Sequence, residues 1–283
     1  MIKIAFVFRR LPQMSQEEFR QYGWGNHASL VRRHAVTLGM QRCVQAYRID
    51  DPLNEALRAA HGAAEPYDGV AYMYWKDYED FIATGSKEEA QLADQVFKED
   101  EGHFIDVARS SQCLAAEQVV IAGGRKKIVA TYDSPAITLV HSFCRLPGQS
   151  WEECQSYWRK THGPLLRQHA AALGVVRYVQ NHRIDDPLNE VMQAMRGTME
   201  PFDGISQLWW KGRQDLERSM STREGQQAWK KIREDEQRFI DASRSSLWLP
   251  PCPCRPCCRP DKATFLARGV SEVLGPLVVA CAN

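Results

Sequence analysis

The sequence predicts a mixed α+β fold laid down twice in one chain, and three observations carry this. The octet Arg-Ile-Asp-Asp-Pro-Leu-Asn-Glu occurs at Arg48–Glu55 and again at Arg183–Glu190, an offset of 135 residues (183 − 48). The same offset pairs His27 with His162, His34 with His169, Glu65 with Glu200, Trp75 with Trp210 and Arg109 with Arg244. Within each copy, apolar residues switch between the period of a strand and the period of a helix. A period this long is a whole domain rather than a solenoid unit. The two copies are therefore expected to sit against each other like the halves of a dimer.

In the first copy, residues 1–121, the alternation of Ile4, Phe6 and Phe8 predicts a strand over Ile2–Arg9. Ser15 precedes Glu17 and Glu18 as an N-cap with carboxylates in the first turn. The helix it opens runs to about Leu38, with Gly39 as its stop. Met40–Ile49 is a second strand. Asp50-Asp51-Pro52 ends it and opens a short helix over Leu53–Ala60. Pro66-Tyr67-Asp68-Gly69 is a turn before a third strand, Val70–Trp75. Asp77 to about Val107 is helical with a break near Gly85, and Cys113–Ile121 closes the unit. The order β-α-β-β-α-β is the ferredoxin-like plan with an antiparallel sheet.

Residues 122–135 carry Gly-Gly, a basic triplet and Asp-Ser-Pro, and are expected to be a linker. The second copy, residues 136–250, repeats the order until Leu249. Residues 251–283 are a Pro/Cys-rich tail, expected to be poorly ordered. Five prolines between 250 and 260 are expected to forbid a paired strand, and a chain clipped near residue 250 is expected to keep its activity.

Lys+Arg and Asp+Glu nearly cancel, 36 against 35, and no long basic run offers a track for nucleic acid. No stretch is long and apolar enough for a membrane span, and the N-terminus lacks a signal-peptide core. Cys43, Cys113, Cys144 and Cys154 have no cysteine at their partner positions, so a reducing cytoplasm is the expected location.

His27, Leu30, Val31, His34 and Leu38 recur at helical spacing, as do His162, Leu165, Leu166, His169 and Leu173. Both histidine pairs therefore lie on the stripe that faces the sheet. The plain alternative is core histidines hydrogen-bonded to backbone or carboxylate. His27 and His162 persist while neighbours drift (Trp24 against Arg159, Asn26 against Thr161), which makes them the candidate acid/base groups. Tyr22 and Tyr157 stand five residues earlier, off the centre of that face, as helpers. Arg48 and Arg183 suit a substrate carboxylate. In each Asp-Asp pair, one residue is expected to cap the following helix and the other, Asp50 or Asp185, is left open to substrate. Trp75 and Trp210, with Tyr72, Tyr74 and Trp209, offer aromatic walls, although aromatic strands are ordinarily core. Glu99-Asp100-Glu101 and Glu234-Asp235-Glu236 read as a solvated face that pairs with Arg109 and Arg244. No metal site is expected: His27 and His34 are spaced more loosely than a zinc helix requires, and Cys252, Cys254, Cys257 and Cys258 lack a paired knuckle.

The run Phe8-x-Arg10, Ser15-x-Glu17-Glu18-x-x-x-Tyr22, His27 resembles the signature of the EthD family. The second copy resembles it more closely, with Phe143-x-Arg145, Ser150-x-Glu152-Glu153-x-x-x-Tyr157-Trp158 and His162-Gly163-Pro164-Leu165. The first copy has Asn26-His27-Ala28-Ser29, without Gly-Pro. The resemblance implies a dimeric α/β barrel, here with both halves supplied by one chain, and a further homodimer of the whole chain as a possible assembly. It also implies a small-molecule pocket. Relatives on that barrel include cofactor-independent decarboxylases, dehydratases, cyclases and isomerases, and also haem enzymes. The expectation is a lyase without a cofactor acting on an aromatic or polyketide-like acid. The alternatives are a haem-dependent or oxygen-using enzyme and a barrel that binds without turnover.

Overall fold

The structure, a computed structural model, describes residues 1–123, 136–250 and 255–258, the last as backbone alone. Most of the expected linker and tail, including Cys252 and Cys254, lies outside the described residues. The first repeat runs β1 (Ile2–Arg10), α1 (Gln16–Tyr22), a π-helical turn (Gly23–His27), α2 (Ala28–His34), β2 (Arg42–Tyr47), α3 (Pro52–His61), β3 (Gly69–Trp75), α4 (Tyr78–Gly85), α5 (Glu88–Glu101) and β4 (Ile105–Ile121). The second runs β5 (Ile137–Arg145), α6 (Trp151–Tyr157), a π-helical turn (Trp158–His162), α7 (Gly163–Leu173), β6 (Arg177–Arg183), α8 (Leu188–Arg196), β7 (Gly204–Trp210), α9 (Arg213–Ser221), α10 (Arg223–Glu236) and β8 (Ile240–Trp248).

The largest boundary differences from the sequence reading fall at the end of the first repeat. The last helix of the first repeat stops at Glu101 rather than near Val107, and β4 is a 17-residue strand that starts at Ile105. Its length has a purpose: residues 105–115 pair with β1 of their own repeat, and Ala115 to Ile121 pair with β6 of the other. One antiparallel sheet thus crosses from repeat to repeat, in the order β8-β5-β7-β6-β4-β1-β3-β2-β9.

The tail supplies the second crossing. Contrary to the expectation from its prolines, Arg255–Cys258 forms β9 and pairs with β2 (Cys43 with Cys258, Gln45 with Arg255). A proline is tolerated here because the strand is short and its register shifts between Cys43 and Val44, so no regular central ladder is interrupted. β8 and β9 lie at opposite ends of the strand order yet only a few residues apart in the chain, so the sheet closes into a barrel. A chain clipped near 250 loses one of the two strands that pair with β2.

Alternation along the strands divides the core. Ala5, Val7, Tyr72, Val140, Ile205 and Trp248, drawn from both repeats, pack in one cluster inside the barrel. The opposite face of each half-sheet carries helices. In the second repeat Leu139, Leu208 and Trp210 meet Leu166, Trp229 and Ile232, and Leu57 from α3 of the first repeat joins them. In the first repeat the corresponding cluster, with Val31, Trp75 and Phe97, receives Leu188 and Met192 from α8. Each repeat therefore lends its octet helix to the other's core.

The octet explains how. Asp51 and Asp186 accept from the N–H of Leu53 and Leu188 and set the start of each helix. Asn54 Nδ2 donates to Ile49 O and Asn189 Nδ2 to Ile184 O, both at 2.8 Å, which fixes the side-chain amides. Their Oδ1 atoms then accept from the other repeat: Asn54 from Leu249 N–H at 2.8 Å, Asn189 from Leu114 N–H at 2.9 Å. Leu249 O accepts from Ile49 N–H and Leu114 O from Ile184 N–H, both at 2.9 Å, completing two equivalent clasps. Among the described residues no helix is long and apolar enough to cross a membrane.

Replacing Asn54 or Asn189 by Ala leaves a buried leucine N–H without its acceptor. Each variant should lose about 1–3 kcal/mol of stability in urea denaturation. A loss within the roughly ±0.5 kcal/mol of an ordinary surface substitution would show that the clasp does not hold the repeats together.

Candidate active site

The helix expected to run unbroken to Leu38 is interrupted in both repeats by a π-helical turn that ends on the candidate histidine, His27 or His162. A π-turn advances about one extra residue per turn. It therefore aligns residues five apart, and Tyr22 comes onto the face of His27 and Tyr157 onto that of His162. The off-centre placement expected for the tyrosines assumed an α-helix throughout. Close packing supports the turn differently in each copy. Gly23 leaves no room for a Cβ against the Tyr47 hydroxyl, whereas the second repeat has Trp158 there, its ring centroid 4.2 Å from that of His182 and tilted to it by 48°.

Each histidine and tyrosine meet on one carboxylate. His162 Nδ1–H donates to Asp235 at 2.8 Å and the Tyr157 hydroxyl donates to its other oxygen at 2.6 Å. In the first repeat His27 and Tyr22 reach Asp100 at 2.7 and 2.9 Å. A carboxylate facing Nδ1 requires the proton on that nitrogen, which leaves Nε2 with a lone pair. Burial pushes the Asp235 carboxyl upward, but the hydrogen bonds from His162 and Tyr157 outweigh it and hold the group below the usual aspartate range. Burial and the adjacent Asp235 raise Tyr157, which stays a donor. His162 is 2 % exposed and His27 7 %, each against a phenylalanine, Phe239 or Phe104.

Asp100 and Asp235 correct the sequence reading. They do not belong to a solvated face, and Arg109 and Arg244 pair instead with Glu65 and Glu200. The usable signal was the Glu-Asp-Glu triplet itself, intact in both copies beside a drifting helix. Glu236 also turns away from the expected solvated face. It faces His61 Nε2 and His141 Nδ1, each at 3.7 Å. Burial pushes its carboxyl up, yet the neighbouring imidazoles, His141 first, bring it down to about 2. These three side chains stand between two cavities. An outer one of about 80 Å³ is also bounded by Ala63, Arg233 and Gln237. An inner one of about 20 Å³ reaches His162 and is walled by Leu139, Leu166, Leu208, Trp229, Ile232 and Leu247.

The other candidates lie elsewhere. Arg48 and Arg183 bind Asp68 and Asp203, at 2.9 and 3.1 Å, beside Arg10 and Arg145. Asp50 and Asp185 are exposed on the turn. Trp75 and Trp210 are buried and donate to the backbone oxygens of Leu38 and Leu173. His34 is half-buried against Phe97, and His169 is half-buried outside the walls of both cavities.

The sequence profile of the EthD domain matches residues 11–108 and 146–243, which is more than half of the chain. The chain belongs to the EthD family. No curated protein matches this EthD chain. Among solved structures, an anthrone oxidase-like protein is similar over 90 % of this chain and 93 % of its own, at 15 % identity and a TM-score of 0.55. An EthD family protein from Bacillus halodurans c-125 covers 40 % of this chain and 95 % of its own, at 17 % identity and a TM-score of 0.29. A dye-decolorizing peroxidase from Bacteroides thetaiotaomicron VPI-5482 covers 89 % and 92 %, at 10 % identity and 0.45. The architecture is that of the dimeric α/β barrel, with both EthD units in one chain.

Glu236 has a pH signature. Its folded-state pKa of about 2 lies below the ordinary 4.5, so its contribution is complete above pH 4.5 and is lost as pH falls toward 2. With 14 % of the side chain exposed, that contribution is about 3 kcal/mol at most. The stability gap between wild type and Glu236→Gln should therefore shrink from pH 7 to pH 3 in urea titrations. A constant gap would contradict the assignment.

Proposed function

We propose that the chain is a cofactor-independent lyase, a decarboxylase or dehydratase of an aromatic or polyketide-like acid. The dyads His162–Asp235 and His27–Asp100 supply the acid/base groups. One observation carries this reading: a buried imidazole whose Nδ1–H is fixed by a carboxylate that a tyrosine also holds. In a decarboxylation, the imidazolium form of His162 delivers its Nε2 proton to the ring carbon that bears the carboxyl group. The electrons of the breaking carbon–carbon bond return to the ring as CO2 leaves, and the imidazole is left neutral. Asp235 stabilises the imidazolium beforehand, and Tyr157 keeps the carboxylate in place. In a dehydration, the same Nε2 removes the proton next to a carbonyl and returns it to the β-hydroxyl, whose carbon–oxygen bond breaks as the double bond forms and water leaves. An aromatic or carbonyl system holds the developing negative charge, so the chemistry makes no demand for an external electron sink.

The outer cavity is smaller than the roughly 150 Å³ void that holds benzene, so a ring enters with one edge in its open mouth. A second reading, an oxygen-using enzyme, draws on the fold shared with the anthrone oxidase-like protein. The same base would form the electron-rich ring that such chemistry starts from. The two cavities described, about 80 and 20 Å³, are far smaller than a haem macrocycle.

Screening hydroxylated aromatic acids for release of CO2 or water should find a substrate. The double variant His27→Ala, His162→Ala should lose turnover by about 10²- to 10⁴-fold while keeping its circular dichroism spectrum. Full activity in that variant overturns the reading. Oxygen uptake without loss of CO2 or water would favour the second.

A further inference from the structure

The two repeats keep the same dyad but not the same surroundings. At the offset that superposes them, His141 corresponds to Phe6, His61 to Arg196 and Ile232 to Phe97, while Glu236 corresponds to Glu101. In the first repeat Arg196 from α8 is paired with Glu101 and with Asp94 on α5. Phe97 lies edge-on to both His27 and His34, with ring centroids 5.8 and 5.9 Å away, and Phe6 is buried in the adjoining cluster. The place that opens into the outer cavity in the second repeat is here occupied by a guanidinium clamped between two carboxylates.

In the second repeat the position of Arg196 belongs to His61, which arrives from α3 of the other repeat. His61 Nδ1–H donates to Leu57 O at 2.9 Å, so Nε2 is the nitrogen that faces Glu236 at 3.7 Å. At that separation the imidazole and the carboxylate do not hydrogen-bond to each other, which leaves the Glu236 carboxylate an acceptor turned to the cavity. What fits the gap is a donor, a ligand O–H. Arg233 stands on the wall of the same outer cavity and offers a cation for a carboxylate.

We infer that the chain works through one pocket, that of the second repeat, assembled across the repeats, and that His61 with Glu236 accepts the hydroxyl of a hydroxy-substituted aromatic acid. The first repeat's copy is closed by Arg196. This deepens the acid/base reading of the same site and rests on it only for what happens after binding.

The test uses the full chain and salicylate, with benzoate as the probe that lacks the hydroxyl. Isothermal titration should find one salicylate per chain, and benzoate about tenfold weaker, the loss of one hydrogen bond to a charged acceptor pair. His61→Arg, which imports the closure of the first repeat, should abolish binding. His61→Phe keeps the bulk of the ring without the acceptor, so it should remove the preference for salicylate. If His61→Arg fails to fold by circular dichroism, the His61→Phe result decides. Two salicylates per chain, none at millimolar concentration, or an unchanged preference in His61→Phe overturns the inference. A chain that binds one salicylate but turns over no acid keeps this inference and loses the lyase reading.

Discussion

Asn54 and Asn189 each hold, with one side-chain amide, a backbone N–H of the opposite repeat's closing strand, and the rest of the molecule depends on those two contacts. A buried N–H needs an acceptor, and a strand that leaves its own sheet for a neighbour's has none until it arrives. The octet provides the acceptor in a fixed place, because Asp51 or Asp186 starts the helix and the asparagine is braced on the carbonyl of Ile49 or Ile184. With the strands clasped, β4 continues onto β6 and the tail continues onto β2, and the sheet becomes a barrel. With the helices clasped, Leu57 and Leu188 enter the opposite cores. The last residue of α3, His61, then reaches Glu236. One hydrogen-bonding requirement fixes both the architecture and the composition of the pocket.

Within each repeat the second constraint is the π-turn. Without it, a tyrosine five residues before a histidine would point away from it, and a single aspartate would not serve both. With it, Tyr157, His162 and Asp235 form a compact set in a nearly dry place, and Tyr22, His27 and Asp100 form its copy. A helix carrying such a turn is less regular than an α-helix, and π-turns of this kind recur where a side chain has to be re-aimed at a functional site.

The duplication made the fold legible. The octet, the paired histidines and the strand-helix alternation led to two α+β units and, through the resemblance, to the barrel. It also concealed a good deal. Identity between the copies marks what both repeats keep, and His61 and His141 carry no such mark, because their counterparts are Arg196 and Phe6. Asp100 was hidden for a different reason. A carboxylate in an acidic triplet near a helix end resembles a solvated face, and only the helix packed against it reveals the histidine partner. The roles of Arg48 and Asn54 needed the tertiary neighbour, since a turn rich in charge reads the same whether it meets substrate, solvent or Asp68. The prolines after residue 250 argue against a regular central strand, whereas β9 is four residues long and pairs with a shifted register.

The most direct measurement is native-state hydrogen exchange of the Leu114 and Leu249 amides, read beside that of Val7 in the middle of the sheet. If the clasps hold the two repeats as one cooperative body, both leucine amides exchange only through global unfolding, with the same free energy as Val7. Exchange through local openings, orders of magnitude faster than Val7, would mean that the repeats part without unfolding. The barrel and its composite pocket would then not depend on the octet.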